Sequence, residues 1–330
     1  MVSLKGTWSL GEFESSWQSG AEMLLQSGTT TVADIESVPE LIPAAWERTP
    51  LRVHSFRELI NVRSRIPASE LVERAVNDWL GLPNAQKRVG LSPHAPYTTS
   101  TELLEMAARA AHRRKWRLTT HVAESEQEFE MYMYRQGAMY DWLKSQRDVS
   151  DCGLGSPVQH LERCGYLDEN LLAAHMNYLW RHDAGVLGRH QVSVVHCPRS
   201  HDYFQHLRFP REELESAGVN ICLGTDSLVT TRKERNHPFE LNLFAEMQAF
   251  ASKSPDVAPE KILRMATVNG ARALGMQGLI GEISENGLAD LIAIPFGGAS
   301  PDAYEVILHH HGAVVASMIS GHWAIPPLPC

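Results

Sequence analysis

Along this chain, short runs of β-branched and other apolar residues alternate with longer stretches whose apolar positions recur at helical intervals. The runs are "TTTVADI" from Thr29, "LRVHSF" from Leu51, "VGLSPHA" from Val89, "RLTTHVAE" from Arg117, "LLAAHMNYL" from Leu171, "VSVVHCPRS" from Val192 and "VNICLGTDS" from Val219. Between them, "STELLEMAARAAHRRK" sets leucine and alanine at helical spacing behind a Ser/Thr start that reads as a cap. Strands alternating with helices predict parallel βα units, and the near-continuous apolar run "VSVVHC" predicts burial on both faces. A barrel or a doubly wound sheet would satisfy that pattern.

The polar positions separate the two. His94, His121, His175, His196 and Asp226 each fall at the carboxyl end of a predicted strand. In an α/β barrel that rim gathers the catalytic groups, whereas a doubly wound sheet would collect them at a switch point, and no Gly-rich dinucleotide loop is present. The expected fold class is α/β, a (β/α)8 TIM-type barrel over residues 1–275. After residue 275 the pattern changes to Gly-punctuated short strands, "GEISENGLADLIAIPF" and "HHHGAVVASMISGHWAI". Residues 276–330 are therefore expected to form a small β element, a portion of a β-sandwich, beside the barrel.

Composition narrows the partners. The 330 residues suffice for one barrel, which typically takes about 250. With 43% hydrophobic and 21% charged residues the chain is ordinary for a globular protein, and no stretch reaches the roughly 18 apolar residues of a membrane helix. A net charge of −9 gives no long-range attraction for a phosphate backbone or an anionic membrane. The cysteines, five in all, include no C-x-x-C pair, which disfavours a disulfide framework and a cysteine zinc site. The start, "MVSLKGTWSLGEFESSW", lacks the pattern of a signal peptide. These features predict a cytoplasmic protein with no nucleic-acid or membrane partner.

His121 and Glu124 form H-x-x-E at a strand end, a spacing that can set a metal ligand and a carboxylate on one mouth of a barrel. A capped or hydrogen-bonded core histidine is the competing explanation. His175 and Asp226 end later runs in the same way, and zinc is commonly bound by imidazole and carboxylate together. Asp226, in "LGTDSL", either caps the next helix or binds a metal and accepts a proton from its water. His94, between Pro93 and Pro96, is either a structural turn or a substrate contact. Arg199, Ser200 and His201 follow a buried run, where they read polar substrate groups or form a solvated loop. His309, His310 and His311 are expected on the surface or an edge strand. H-E-x-x-H, G-x-S-x-G, a P-loop and the H-x-E with P-C-x-x-C zinc site are absent.

The segments "SPHAPYTTS", "THVAES", "AAHMNYL", "VVHCPRS", "LGTDSL" and "GLADLIAI" together resemble the amidohydrolase superfamily, within its deaminase and chlorohydrolase branch. That branch contains the S-adenosylhomocysteine, guanine and aminodeoxyfutalosine deaminases and the triazine hydrolases. The segments come in the family's order across about residues 20 to 295. The resemblance implies His121 and Asp226 as metal ligands from the fifth and eighth barrel strands, and Glu124 as the proton shuttle. It makes His175 the residue that orients water or polarises substrate, with His94 at the substrate.

By the same resemblance the cofactor is one divalent metal ion, zinc by ligand type. The reaction is hydrolytic deamination of a small amino-substituted heterocycle, purine nucleoside-like or related, by a metal-bound hydroxide. The alternatives are hydrolysis of another carbon–nitrogen or carbon–halogen bond on a triazine-like ring, and a catalytically inactive relative acting as a binding protein. A homodimer is the assembly the branch suggests.

Two departures stand out. Family members carry His-x-His at the end of the first barrel strand, but the histidine before His94 is His54, with no such partner, so the barrel is expected to lack its first strand. The amino-terminal segment that pairs with the tail is missing too. The expected explanation is a chain that begins at an internal methionine, and a degenerate, metal-free relative is the alternative. His201 stands where many members have asparagine, which bears on substrate identity.

Overall fold

The runs "LRVHSF" and "VGLSPHA" can pair side by side only if the helix between them carries the chain back to the start of the next strand, and this is what every predicted run does. The computed structural model describes residues 7–63, 66–82, 88–231, 239–298 and 302–328. Seven parallel strands lie in chain order: β1 (Thr31–Glu36), β2 (Arg52–Leu59), β3 (Val89–Pro93), β4 (Arg117–Val122), β5 (Leu171–His175), β6 (Ser193–His196) and β7 (Asn220–Leu223). Each of the seven predicted runs supplies one of them.

One face of this sheet gathers Ile35, Phe56, Leu172, Val195 and Cys222 into a single cluster. Those side chains come from β1, β2, β5, β6 and β7, which are not all neighbours, so the sheet must curl until they meet. The opposite face, with Leu91, Leu118, Ala173, Val194 and Ile221, packs against the helices. The helix Thr101–Arg114 shows why: Ser100 caps it by accepting from the Leu103 N–H at 3.2 Å, and Leu103, Leu104, Ala107, Ala108 and Ala111 form its buried stripe. Burying the two leucines contributes roughly 1.5–3 kcal/mol each.

The sheet does not close among the described residues. Among the described residues β1 pairs only with β2, and β7 only with β6. Between these free edges lies a cavity of about 450 Å³, lined by Thr31, Val32, Leu223, Phe244, Met247 and other, mostly apolar, residues. The expectation of a barrel short of one stave is met at this seam.

A second, antiparallel sheet contains β8 (Leu291–Ala293), β9 (Ala316–Ile319) and β10 (His322–Ile325), ordered β10-β9-β8. It is tied to the first by Arg52 at the start of β2. That guanidinium pairs with the nearly buried Asp290, and its Nη2 donates to Ser320 Oγ at 2.6 Å. Leu308 and Val314 of the tail belong to the main core cluster. His310, expected at the surface, is instead buried, with its ring edge-on to Phe244 at 4.7 Å. The described cysteines are free and buried, and Cys330 lies outside the described residues. No described helix is long and apolar enough to cross a membrane.

Gly90 of β3 leaves room for the side chain and backbone of its neighbouring strands. A Cβ there would stand 2.5 Å from the Phe56 ring and 2.6 Å from the Arg117 carbonyl oxygen, closer than real contacts allow. Gly90→Ala is expected to destabilise the chain by about 1–3 kcal/mol through overpacking. Urea unfolding checks this, and an unchanged midpoint would mean that Phe56 has room to move.

Candidate active site

Strand register sets the height of the site. In the β4–β5 ladder His121 pairs with Ala174 and Val122 with His175, so the two histidines stand one register step apart at the carboxyl ends of their strands. Beyond the strand ends the backbone turns sharply: Ala123, His175, Met176 and Asp226 all take positive φ, between 51° and 76°. Non-glycine residues in this region cost energy and concentrate at functional sites.

The imidazoles are fixed by their second nitrogens. His121 Nδ1 donates to the His94 carbonyl at 2.8 Å, which leaves the lone pair on Nε2. His94 Nδ1 lies 2.8 Å from Thr98 Oγ1, and that hydroxyl donates to the Ala95 carbonyl, so the imidazole is the donor between them. The His94 and His121 ring centroids are 4.9 Å apart, and those of His121 and His175 are 5.5 Å apart. Burial pushes the pKa of His94 down to about 4, helped by His121 and His175, and it lowers that of His175 as well.

The carboxylates complete the group. Glu124 Oε1 is 3.7 Å from His175 Nε2, and burial raises the pKa of Glu124 against the pull of His121. Asp226 Oδ2 accepts from Ser200 Oγ at 2.6 Å and Thr230 Oγ1 at 3.1 Å, while Oδ1 accepts from the Ser227 N–H at 2.6 Å. Asp226 and His175 also interact electrostatically. His94, His121, Glu124, His175, Ser200 and Asp226 are thus brought together.

Arg199 is not part of this group. Its guanidinium turns to the buried Glu246, at 3.3 Å, and donates to the Glu240 carbonyl at 2.8 Å. His201 stands beside the group, with Nδ1 3.1 Å from Asn177 Oδ1. His196, at the end of β6, packs flat on Phe209 at 3.9 Å and edge-on to His201 at 5.3 Å. Three neighbours escaped the sequence reading: Asn177 and Glu128, bonded to the Glu124 backbone, and His206, which interacts electrostatically with Glu124. Asn177 lies in the noticed segment "AAHMNYL", whereas Glu128 looks like any first-turn acid and His206 carries no pattern.

As a place for a metal ion, the donors fit in kind. His121 presents an Nε2 lone pair, and Asp226 Oδ1, with one hydrogen bond, keeps another. They fall short in number: among the described residues no three His, Cys, Asp or Glu side chains come together as a metal-binding group.

The sequence pattern of the Amidohydrolase family matches residues 13–324. The chain belongs to this family. It is 34% identical over 288 residues to the 5-methylthioadenosine/S-adenosylhomocysteine deaminase of Syntrophobacter fumaroxidans, covering 84% of this chain and 60% of that one. A similar deaminase from Thermococcus onnurineus is 32% identical over 285 residues, 84% of this chain and 62% of its own length. The chain thus spans about 60% of these curated relatives. Among solved structures, a zinc-bound adenosine deaminase from Xanthomonas campestris superposes with a TM-score of 0.80 at 22% identity, over 97% of this chain and 71% of that one. This likeness shows the amidohydrolase barrel fold.

Acid should expose the cost of holding these histidines neutral. The folded pKa of His94 is about 4, as is that of His54 and of His160, below the ordinary 6.5. The unfolded chain therefore binds protons that the folded chain refuses, and stability is lost as pH falls from 6.5 toward 4. His94→Gln is expected to make that decline shallower in urea melts across this range. Parallel curves for parent and variant would refute a neutral buried His94.

Proposed function

We propose that this chain performs the hydrolytic deamination of a small amino-substituted heterocycle, purine nucleoside-like in kind. The convergence of Glu124, His175, His94 and Asp226 on one rim carries the reading, supported by the family and by the named activity of the relatives. Overall, water replaces the amino group on a ring carbon and ammonia leaves.

Glu124 is the proton carrier. Its raised pKa suits it to take a proton from water and pass it to a ring nitrogen, then onward to the departing amine. His175, 3.7 Å away and held neutral by burial, orients the water or polarises the substrate. His94 and His201 contact the substrate, and Ser200 fixes the Asp226 carboxylate. Arg199 secures the segment that carries Ser200 and His201, through Glu246. One divalent ion, zinc, would be held by His121 and Asp226 with at least one further donor, and when bound it would acidify water. We place the barrel in residues 1–275 and the small sheet in 276–330, and assign the chain to the cytoplasm as a homodimer without nucleic-acid or membrane partners.

A second reading, ligand binding without turnover, is favoured by the lack of a third metal donor among the described residues. Ammonia release from a panel of aminopurine nucleosides, measured with zinc supplied, separates the two. Turnover is expected, and Glu124→Gln should lower kcat by about 100-fold or more. Binding without ammonia release would leave the second reading standing.

Elemental analysis of the folded, zinc-dialysed chain provides another check. His121→Ala and Asp226→Ala should each retain less zinc than the parent, and equal retention would place the ion elsewhere.

A further inference from the structure

A proton carrier faces two opposed demands. Its oxygens must be free to gain and lose a proton, yet the residue must stay where the proton is needed. Glu124 meets both through its main chain. No hydrogen bond among the described residues reaches its carboxyl oxygens, and the His175 imidazole stands just beyond hydrogen-bond distance at 3.7 Å. Its peptide groups are held on both sides. The Glu124 N–H donates to Glu128 Oε2 at 2.9 Å, and its carbonyl accepts from Asn177 Nδ2 at 3.0 Å.

The two holding side chains are buried and set by further bonds. Glu128 is fully buried, one turn along the helix Glu126–Tyr134, and its own N–H is capped by Ser125 Oγ at 3.2 Å. Asn177 is also buried. Its backbone N–H and that of Tyr178 both donate to the Ala123 carbonyl, at 2.9 and 3.0 Å. The amide of Asn177 has a defined orientation, because the Glu124 carbonyl can only accept and so faces Nδ2, which leaves Oδ1 to accept from His201 Nδ1 at 3.1 Å.

Local helix capping accounts for only part of this arrangement. In a capping box the N3 glutamate reaches back to the N-cap N–H. Here Ser125 is the N-cap, and Glu128 reaches one residue further, to Glu124. The burial is also costly, since a fully enclosed carboxyl gives up its hydration.

We propose that Glu128 and Asn177 are positioning residues for the proposed deamination, clamping the Glu124 peptide from opposite sides so that its carboxyl can exchange protons without leaving the site. His201 acts behind them, by fixing the Asn177 amide. The inference rests on the assignment of Glu124 as proton carrier.

The test uses near-isosteric changes in the full chain with zinc. Glu128→Gln keeps a carbonyl acceptor for the Glu124 N–H, and Glu128→Leu removes it. Asn177→Asp replaces the donor that faces the Glu124 carbonyl with an acceptor. Glu128→Gln should stay within about threefold of the parent in kcat, while Glu128→Leu and Asn177→Asp lose about 10- to 100-fold with KM little changed, as expected for a misplaced reacting group. Amide hydrogen exchange at Glu124 supplies a second readout that needs no turnover. It should quicken by about tenfold or more in Glu128→Leu and Asn177→Asp, and stay slow in Glu128→Gln.

Unchanged exchange and kcat in both disruptive variants would overturn the clamp, as would a Glu128→Gln variant as impaired as Glu128→Leu. If the parent releases no ammonia, the functional reading fails by itself, and exchange at Glu124 then decides whether the clamp exists.

Discussion

Parallel pairing of each strand with the one before it is the constraint on which the rest depends. A parallel ladder sends every carboxyl end to the same side, so groups spread from His94 to Asp226 arrive at one rim without any long excursion of the backbone. Register then decides depth. With Val122 opposite His175, a shift of one residue would exchange the inward and outward faces of β5 and carry His175 away from Glu124. The apolar face of the sheet and the gathering of polar groups at its rim are two results of the same hydrogen-bond ladder.

At the rim itself, side chains are aimed by backbone bends and by bonds to peptide groups. Ala123, His175 and Asp226 all adopt left-handed conformations where a strand gives way to its loop. The bonds from Met176, Asn177 and Tyr178 back to Val122 and Ala123 hold the β4 and β5 ends together through this bend. The site is therefore held at its main chain, while the Glu124 carboxyl oxygens accept no hydrogen bond among the described residues.

Much of this was legible in the sequence. The seven strands followed from period and β-branched composition, and His94, His121, Glu124, His175 and Asp226 stood out because each ends or follows an apolar run; the structure brings these five to one rim. Contacts across the chain were harder to read. Arg199 sits beside Ser200 and His201, yet its partner Glu246 lies on a helix whose packing no local pattern fixes. His310 sits within a polar-looking triplet, and it is buried because the tail folds back onto Phe244. Glu128 reads as an ordinary helix-start acid, since nothing local says that its second oxygen is enclosed.

The order of strands in the sheet also bears on how the chain can fold. Because β1 through β7 pair in the order in which they are made, each new strand emerging from a ribosome finds its neighbour already present. Assembly can proceed as a zipper from β1 onward, and the entropy of closing a long loop is avoided at every step until the sheet's two outer edges must be brought near each other. On that route the last approach to form is that of β7 to β1 across the seam, after the rim holding His94, His121 and His175 has taken shape.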